Sequence, residues 1–153
     1  MVHLDRILVP LDGSALSERA LPIAVTLAQK FESEVILLRV LEMAGPTLAN
    51  HYPENLWLVE AMQYAYREAQ SYLDAKEAEL VSQGLHVRTL VREQAAAEEI
   101  LLVATDEQVD LIVISSHGQG GPAPWTSGSV ADKVMQHSRC PVLLVRESPV
   151  VTM

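Results

Sequence analysis

A single cysteine, Cys140, leaves this 153-residue chain unable to build an intrachain disulfide framework and suits it to a reducing compartment. Basic residues are scarce: 11 Lys and Arg against 20 Asp and Glu give a formal charge of −9. That balance argues against a nucleic-acid binder, whose affinity comes largely from cations neutralising phosphates. It leaves room for a small anionic ligand, because screening at physiological salt acts over roughly 8 Å and a local loop can escape distant acidic helices. No apolar run approaches the ~20 residues of a bilayer-spanning helix, and the start of the chain carries no basic-then-apolar signal. The expected location is the cytoplasm, without membrane contact. His3, His51, His86 and His137 show no metal-ligand spacing with Cys or acidic partners, so no structural zinc site is expected.

What is present is a globular composition, 49% hydrophobic and 20% charged, of a length that suits one domain over residues 1–153. Arg6 to Leu11 reads as a short buried strand ending in the turn cluster Asp12-Gly13-Ser14. A helix is predicted from about Ser17 to Phe31, with Ala20, Ile23, Ala24, Leu27 and Ala28 on one stripe. Pro22 within it implies a kink or a late helix start. Glu34 to Val40 gives a second strand, Met43 to Asn55 a loop, and about Asn55 to Ser82 the longest helix, stopped by Gly84. Trp57, Ala61, Tyr64, Ala65, Tyr72, Ala75 and Leu80 are its expected packing residues, the aromatics serving core or interface. Leu85 to Val91 alternates as a less buried strand would. Ala95 to Glu107 gives a third helix, Ser129 to His137 a fourth, and Val142 to Val145 the last strand.

Strands alternating with helices in this way make an α/β domain with a mostly parallel sheet and helices on both faces. Ligands in such sheets bind beyond the carboxyl ends of the strands, where the strand order reverses. Two strand ends carry chemistry suited to that place. One is Asp12-Gly13-Ser14. The other opens the stretch Ile112 to Val130, in which an apolar run stops at Ser115 and Ser116, passes through a Gly-rich loop and re-enters order at Gly128-Ser129. Exposed backbone N–H groups at a helix start, with glycine allowing close approach, form an anion cradle. Ser129 with Asp132 three residues on also reads simply as a helix cap. Asp12 divides in the same way between a ligand contact and a capping role.

These residues together resemble the universal stress protein family: I-L-V-P-L-D-G-S with Ser17-Glu18 beyond it, V-I-L-L-R-V, D-L-I-V-I-S-S-H-G, and G-S-V-A-D-K-V leading to C-P-V-L-L-V-R. The resemblance implies a doubly wound five-stranded parallel sheet of order 3-2-1-4-5, and a homodimer paired through the last strand, Val142 to Val145. It implies an adenine nucleotide, ATP, with Mg²⁺. ATP-binding members carry Gly-x2-Gly-x9-Gly-Ser/Thr, and here Gly118, nine intervening residues and Gly128-Ser129 match, with Ser115 in the first glycine position. Gly118, Gly128, Ser129 and Val130 would contact phosphate, and His117 would line the loop. Asp12, beside Pro10, would meet the ribose or a divalent ion, and Val40 and Ile114 would lie near adenine or ribose.

The sequence departs from the pattern at Ser115 and at Pro122, Pro124 and Trp125 within the loop. If the first position needs a left-handed backbone, serine costs about 1–2 kcal/mol; if it needs only a small side chain, the cost is slight. Thr126-Ser127, Glu93 and Ala95 also depart. His117 has no identified carboxylate partner and reads as holding loop backbone, and Cys140 reads as a packed thiol. No Walker lysine or aligned base is evident, so a dimeric stress-response module that binds ATP is favoured over a slow ATP hydrolase. A nucleotide-free dimer acting through protein contacts is the remaining alternative.

Overall fold

A computed structural model describes residues 2–42, 56–116 and 129–146. Strand β1 (Arg6–Pro10) sits at the centre of a five-stranded sheet with β2 (Glu34–Leu41) and β3 (His86–Glu93) on one side and β4 (Leu111–Ser115) and β5 (Val142–Val145) on the other. Every pairing is parallel and the order is β3-β2-β1-β4-β5, as expected. Among the described residues, four helices carry the chain between strands: α1 (Ala20–Phe31), α2 (Leu56–Val81), α3 (Ala96–Asp106) and α4 (Ser129–His137).

Alternation along the inner strands assigns their side chains to two buried layers. Ile7, Val9, Leu11, Val35, Leu37, Leu111 and Val113 pack with residues of α1 and α2. Leu8, Ile36, Leu38, Val40, Ile112 and Ile114 pack with residues of α3 and α4. Continuous β-branched and leucine runs are what a strand covered on both faces requires. Strand β3 is only partly buried, as its alternating sequence predicts.

The late helix start implied by Pro22 is found. A 3₁₀ turn, Ser17–Arg19, precedes α1, and Pro22 is the third residue of the helix. Its missing N–H therefore falls among the first-turn donors that have no intrahelical acceptor. Within α1 the buried residues are Ala20, Leu21, Ala24 and Ala28, while Ile23 turns outward.

Helix α2 corrects the sequence reading. Of the expected packing residues, Ala65, Tyr72 and Leu80 do pack inward, joined by Ala69 and Leu73, whereas Trp57, Ala61, Tyr64 and Ala75 are exposed. The true inward face lies roughly a quarter turn round the helix from the expected one, at 3.6 residues per turn. Gly84 ends α2 as predicted, with φ +84°. Its N–H donates to Val81 O at 2.9 Å and the Leu85 N–H donates to Leu80 O at 3.3 Å, while Leu80 and Leu85 are both buried. This is the paired closure, with its hydrophobic contact, that a left-handed residue makes possible.

Candidate functional site

The strand order reverses between β1 and β4, which pair directly through Ile7 with Leu111 and Leu8 with Ile112. The two chemistry-bearing strand ends, Asp12 and Ser115, consequently open at one edge of the sheet. They are tied together by hydrogen bonds. The Ser14 N–H donates to Asp12 Oδ1 at 2.8 Å and the Ser14 hydroxyl donates to the same oxygen. The Ser17 hydroxyl accepts from Asp12 N–H at 3.3 Å and donates to Ser14 O at 2.8 Å. From the other loop, the Ser115 hydroxyl donates to Ser17 O at 3.2 Å. Asp12, Ser17 and Ser115 are all buried, so these polar bonds form where water would otherwise have to be retained.

Asp12 is 7% exposed, and its second carboxylate oxygen, Oδ2, has no hydrogen-bond partner among the described residues. A buried carboxylate oxygen without a donor is costly, and it is an acceptor at this strand end left for a ligand hydroxyl or cation. Asp12 does not cap the helix, since neither the 3₁₀ turn nor α1 has a side-chain cap bond; Oδ1 instead holds the local turn to Ser14, and Oδ2 is not used by it.

Ser115 belongs to β4, and it is absent from the residues of positive φ among those described. The left-handed penalty does not arise. Serine here keeps an extended backbone and adds a bond to the first loop that glycine could not make. Val40, Ile114 and Val130 share the buried layer on the α3 and α4 side, and Pro10 is buried at the end of β1. Val40 and Ile114 thus stand at the carboxyl ends of β2 and β4, either side of β1, and Val130 is the second residue of α4. Ser129 is the first residue of α4. His117, Gly118 and Gly128, and with them most of the cradle, lie outside the described residues, as do Pro122, Pro124 and Trp125.

The sequence reading passed over Arg39. It stands on β2 between Leu38 and Val40, on the α1 and α2 side, and its Nε and Nη1 are buried with no hydrogen-bond partner among the described residues. Its guanidinium carbon lies 5.7 Å from the centre of the Tyr72 ring, within cation–π range. Lys76 Nζ lies 5.9 Å from the same ring and pairs with Glu18. Burial, and then the nearby Glu18 carboxylate, push the Tyr72 phenol above its ordinary value. The Glu18 hydrogen bond likewise holds Lys76 above the usual lysine range. The one available signal was a cation inside an otherwise apolar strand.

Cys140 is partly buried, and its N–H donates to the Ser138 hydroxyl at 3.2 Å. Beside it a cavity of about 590 Å³ opens near the last turns of α3 and α4, lined by Leu101, Thr105, Val109, His137, Ser138 and Cys140 among others. The chain runs from there into the starts of β4 and β5, so this cavity is at the opposite end of the sheet from Asp12. Among the described residues, no three His, Cys, Asp or Glu side chains are grouped to hold a metal, and no helix is long and apolar enough to cross a membrane.

Comparison with known proteins agrees with this architecture. The universal stress protein YxiE of Bacillus subtilis is 33% identical over 147 residues, covering 93% of this chain and 99% of its own. The solved structure of MJ0577, a universal stress protein of Methanocaldococcus jannaschii, superposes with a TM-score of 0.81 at 30% identity, covering 97% of this chain and 99% of its own. A universal stress protein family protein of Arabidopsis thaliana, solved with AMP bound, shares the fold at a TM-score of 0.68 and 14% identity, covering 96% of this chain and 97% of its own. The family pattern itself matches residues 3–146, and the chain is a member of the universal stress protein family.

Proposed function

We propose that this protein binds an adenine nucleotide, ATP with Mg²⁺, at the carboxyl ends of β1 and β4, and acts as a cytoplasmic, dimeric stress-response module. The observation that carries the reading is the Asp12 carboxylate, buried, fixed through Oδ1, and left with an unpartnered Oδ2 at the point where the strand order reverses. A carboxylate so placed suits a ribose hydroxyl or a divalent ion. Val40 and Ile114, their side chains packed in the core, bring the carboxyl ends of β2 and β4 to either side of this place. The start of α4 at Ser129-Val130, with Gly128, Gly118 and His117 before it, supplies the residue types for phosphate. The fold-level relative with AMP bound is consistent with this class of ligand.

Isothermal titration of nucleotide-stripped protein with ATP and Mg²⁺ tests the proposal. Saturable binding in the micromolar range is expected, with Asp12→Asn weakening it about tenfold or more, a loss of about 1.4 kcal/mol. A folded protein that shows no binding at millimolar ATP would remove the nucleotide and leave the protein-contact reading.

For assembly, β5 is one of the two edge strands of the sheet, and Leu143 on it is 37% exposed whereas Leu144 packs against the core. An uncovered apolar edge is usually paired. Leu143→Glu should therefore yield monomers on sedimentation without loss of fold, a cleaner probe than a charge at Leu144.

A further inference from the structure

Arg39 and Gly13 occupy each other's space. A Cβ built at Gly13 would lie 2.3 Å from Arg39 Nη1 and 3.2 Å from the guanidinium carbon, and Gly13 itself has φ +89°. At the residue that follows Asp12 the guanidinium rests where a side chain would begin, so a larger residue there would displace it. The register places it there: Pro10 pairs with Leu38, and the Leu11 N–H donates to Leu38 O at 2.8 Å, which carries the next residue of β2 under the turn. The Tyr72 ring also lies against the guanidinium, its centre 5.7 Å from the guanidinium carbon. A cation buried in this way, with two nitrogens lacking hydrogen-bond partners among the described residues, is destabilising by itself. So is a buried carboxylate with a free oxygen. Among the described residues, no hydrogen bond from the guanidinium consumes the free Asp12 oxygen.

We propose that Arg39 is a positioning residue: resting against Gly13 with the Tyr72 ring beside it, its guanidinium holds the Asp12–Ser14 turn so that Oδ1 serves Ser14 and Oδ2 stays presented to ligand. The proposal rests on the nucleotide reading for its ligand but not for its geometry. Arg39 meets the turn at Gly13, and in this proposal its effect on ligand passes through Asp12.

A double-mutant cycle reads this directly. ATP with Mg²⁺ is titrated into wild type, Arg39→Met, Asp12→Asn and the double variant, with Arg39→Lys as the conservative replacement and thermal melting as the check on folding. Arg39→Met should weaken binding about tenfold, the double variant should bind no more weakly than the weaker-binding single variant, and Arg39→Lys should recover part of the loss. Additive losses, or wild-type affinity in Arg39→Met, would overturn the positioning role.

Exchange of the Ser14 amide, which donates to Asp12 Oδ1, is followed in the same variants without nucleotide. It should quicken at least tenfold in Arg39→Met while core-strand amides keep their rates. Unchanged exchange would sink the proposal even if ATP binds. If wild type binds no nucleotide, the functional reading falls and the amide alone decides on Arg39.

Discussion

At Gly13 two demands meet in one residue: a positive φ and room for the Arg39 guanidinium. Gly13→Ala breaks both, and the expected cost is about 1–3 kcal/mol, seen as a lowered denaturant midpoint with an unchanged slope. Gly13→Ala combined with Arg39→Ala should recover the part due to the clash and leave the part due to φ. A single variant as stable as wild type would refute the contact. Asp12 was legible in the sequence because Asp-Gly-Ser after an apolar run announces a turn by composition alone. Arg39 was not, since its meaning depends on a strand register that joins residues 10 and 38. Ser115 lay between these cases: its small size was readable, but its bond to Ser17 spans 98 residues.

Among the elements, α2 shows where periodicity runs short. Its aromatics, Trp57 and Tyr64, mark a plausible stripe, yet the sheet receives Ala65, Ala69 and Leu73. Small residues and a leucine fit close to a sheet, and large side chains with polar tips remain satisfied at the surface. The start of α1 was more readable, because the consequence of Pro22 is set by backbone chemistry and not by packing. Where α2 meets the 3₁₀ turn, Tyr72 and Lys76 gather around Glu18, and both hold their protons more tightly in the fold than at their ordinary values of 10.0 and 10.5. For groups raised in this way the stabilisation is complete below the unfolded value and is lost as pH climbs through the folded one. Thermal midpoints should hold steady to about pH 9.5 and fall above about pH 10, less steeply in Tyr72→Phe. Identical slopes in the two proteins would show that Tyr72 is not involved.

For the molecule as a whole, the sheet joins two buried layers that meet only through its strands. Ile36 and Leu37 are neighbours in sequence, both fully buried, and they face opposite layers. Truncating either to alanine should cost about 2–5 kcal/mol. If the layers share one cooperative unit, both variants will unfold in a single transition with the wild-type denaturant slope; a second transition in one of them would show that the layers come apart separately. Alternating strands and helices made a parallel α/β sheet legible, but its strand order came only through the family resemblance carried by four motifs in sequence, and most of the proposed phosphate loop lies outside the described residues. The central place of β1 also bears on synthesis. One of its edges is covered by β2 as soon as residues 34–41 emerge, but the other waits for β4, roughly 100 residues behind Pro10. At translation rates of about 5–20 residues per second, the nascent chain carries an uncovered apolar strand edge for on the order of 5–20 seconds. Over that interval the first half of the sheet is the part of this protein most exposed to pairing with another chain.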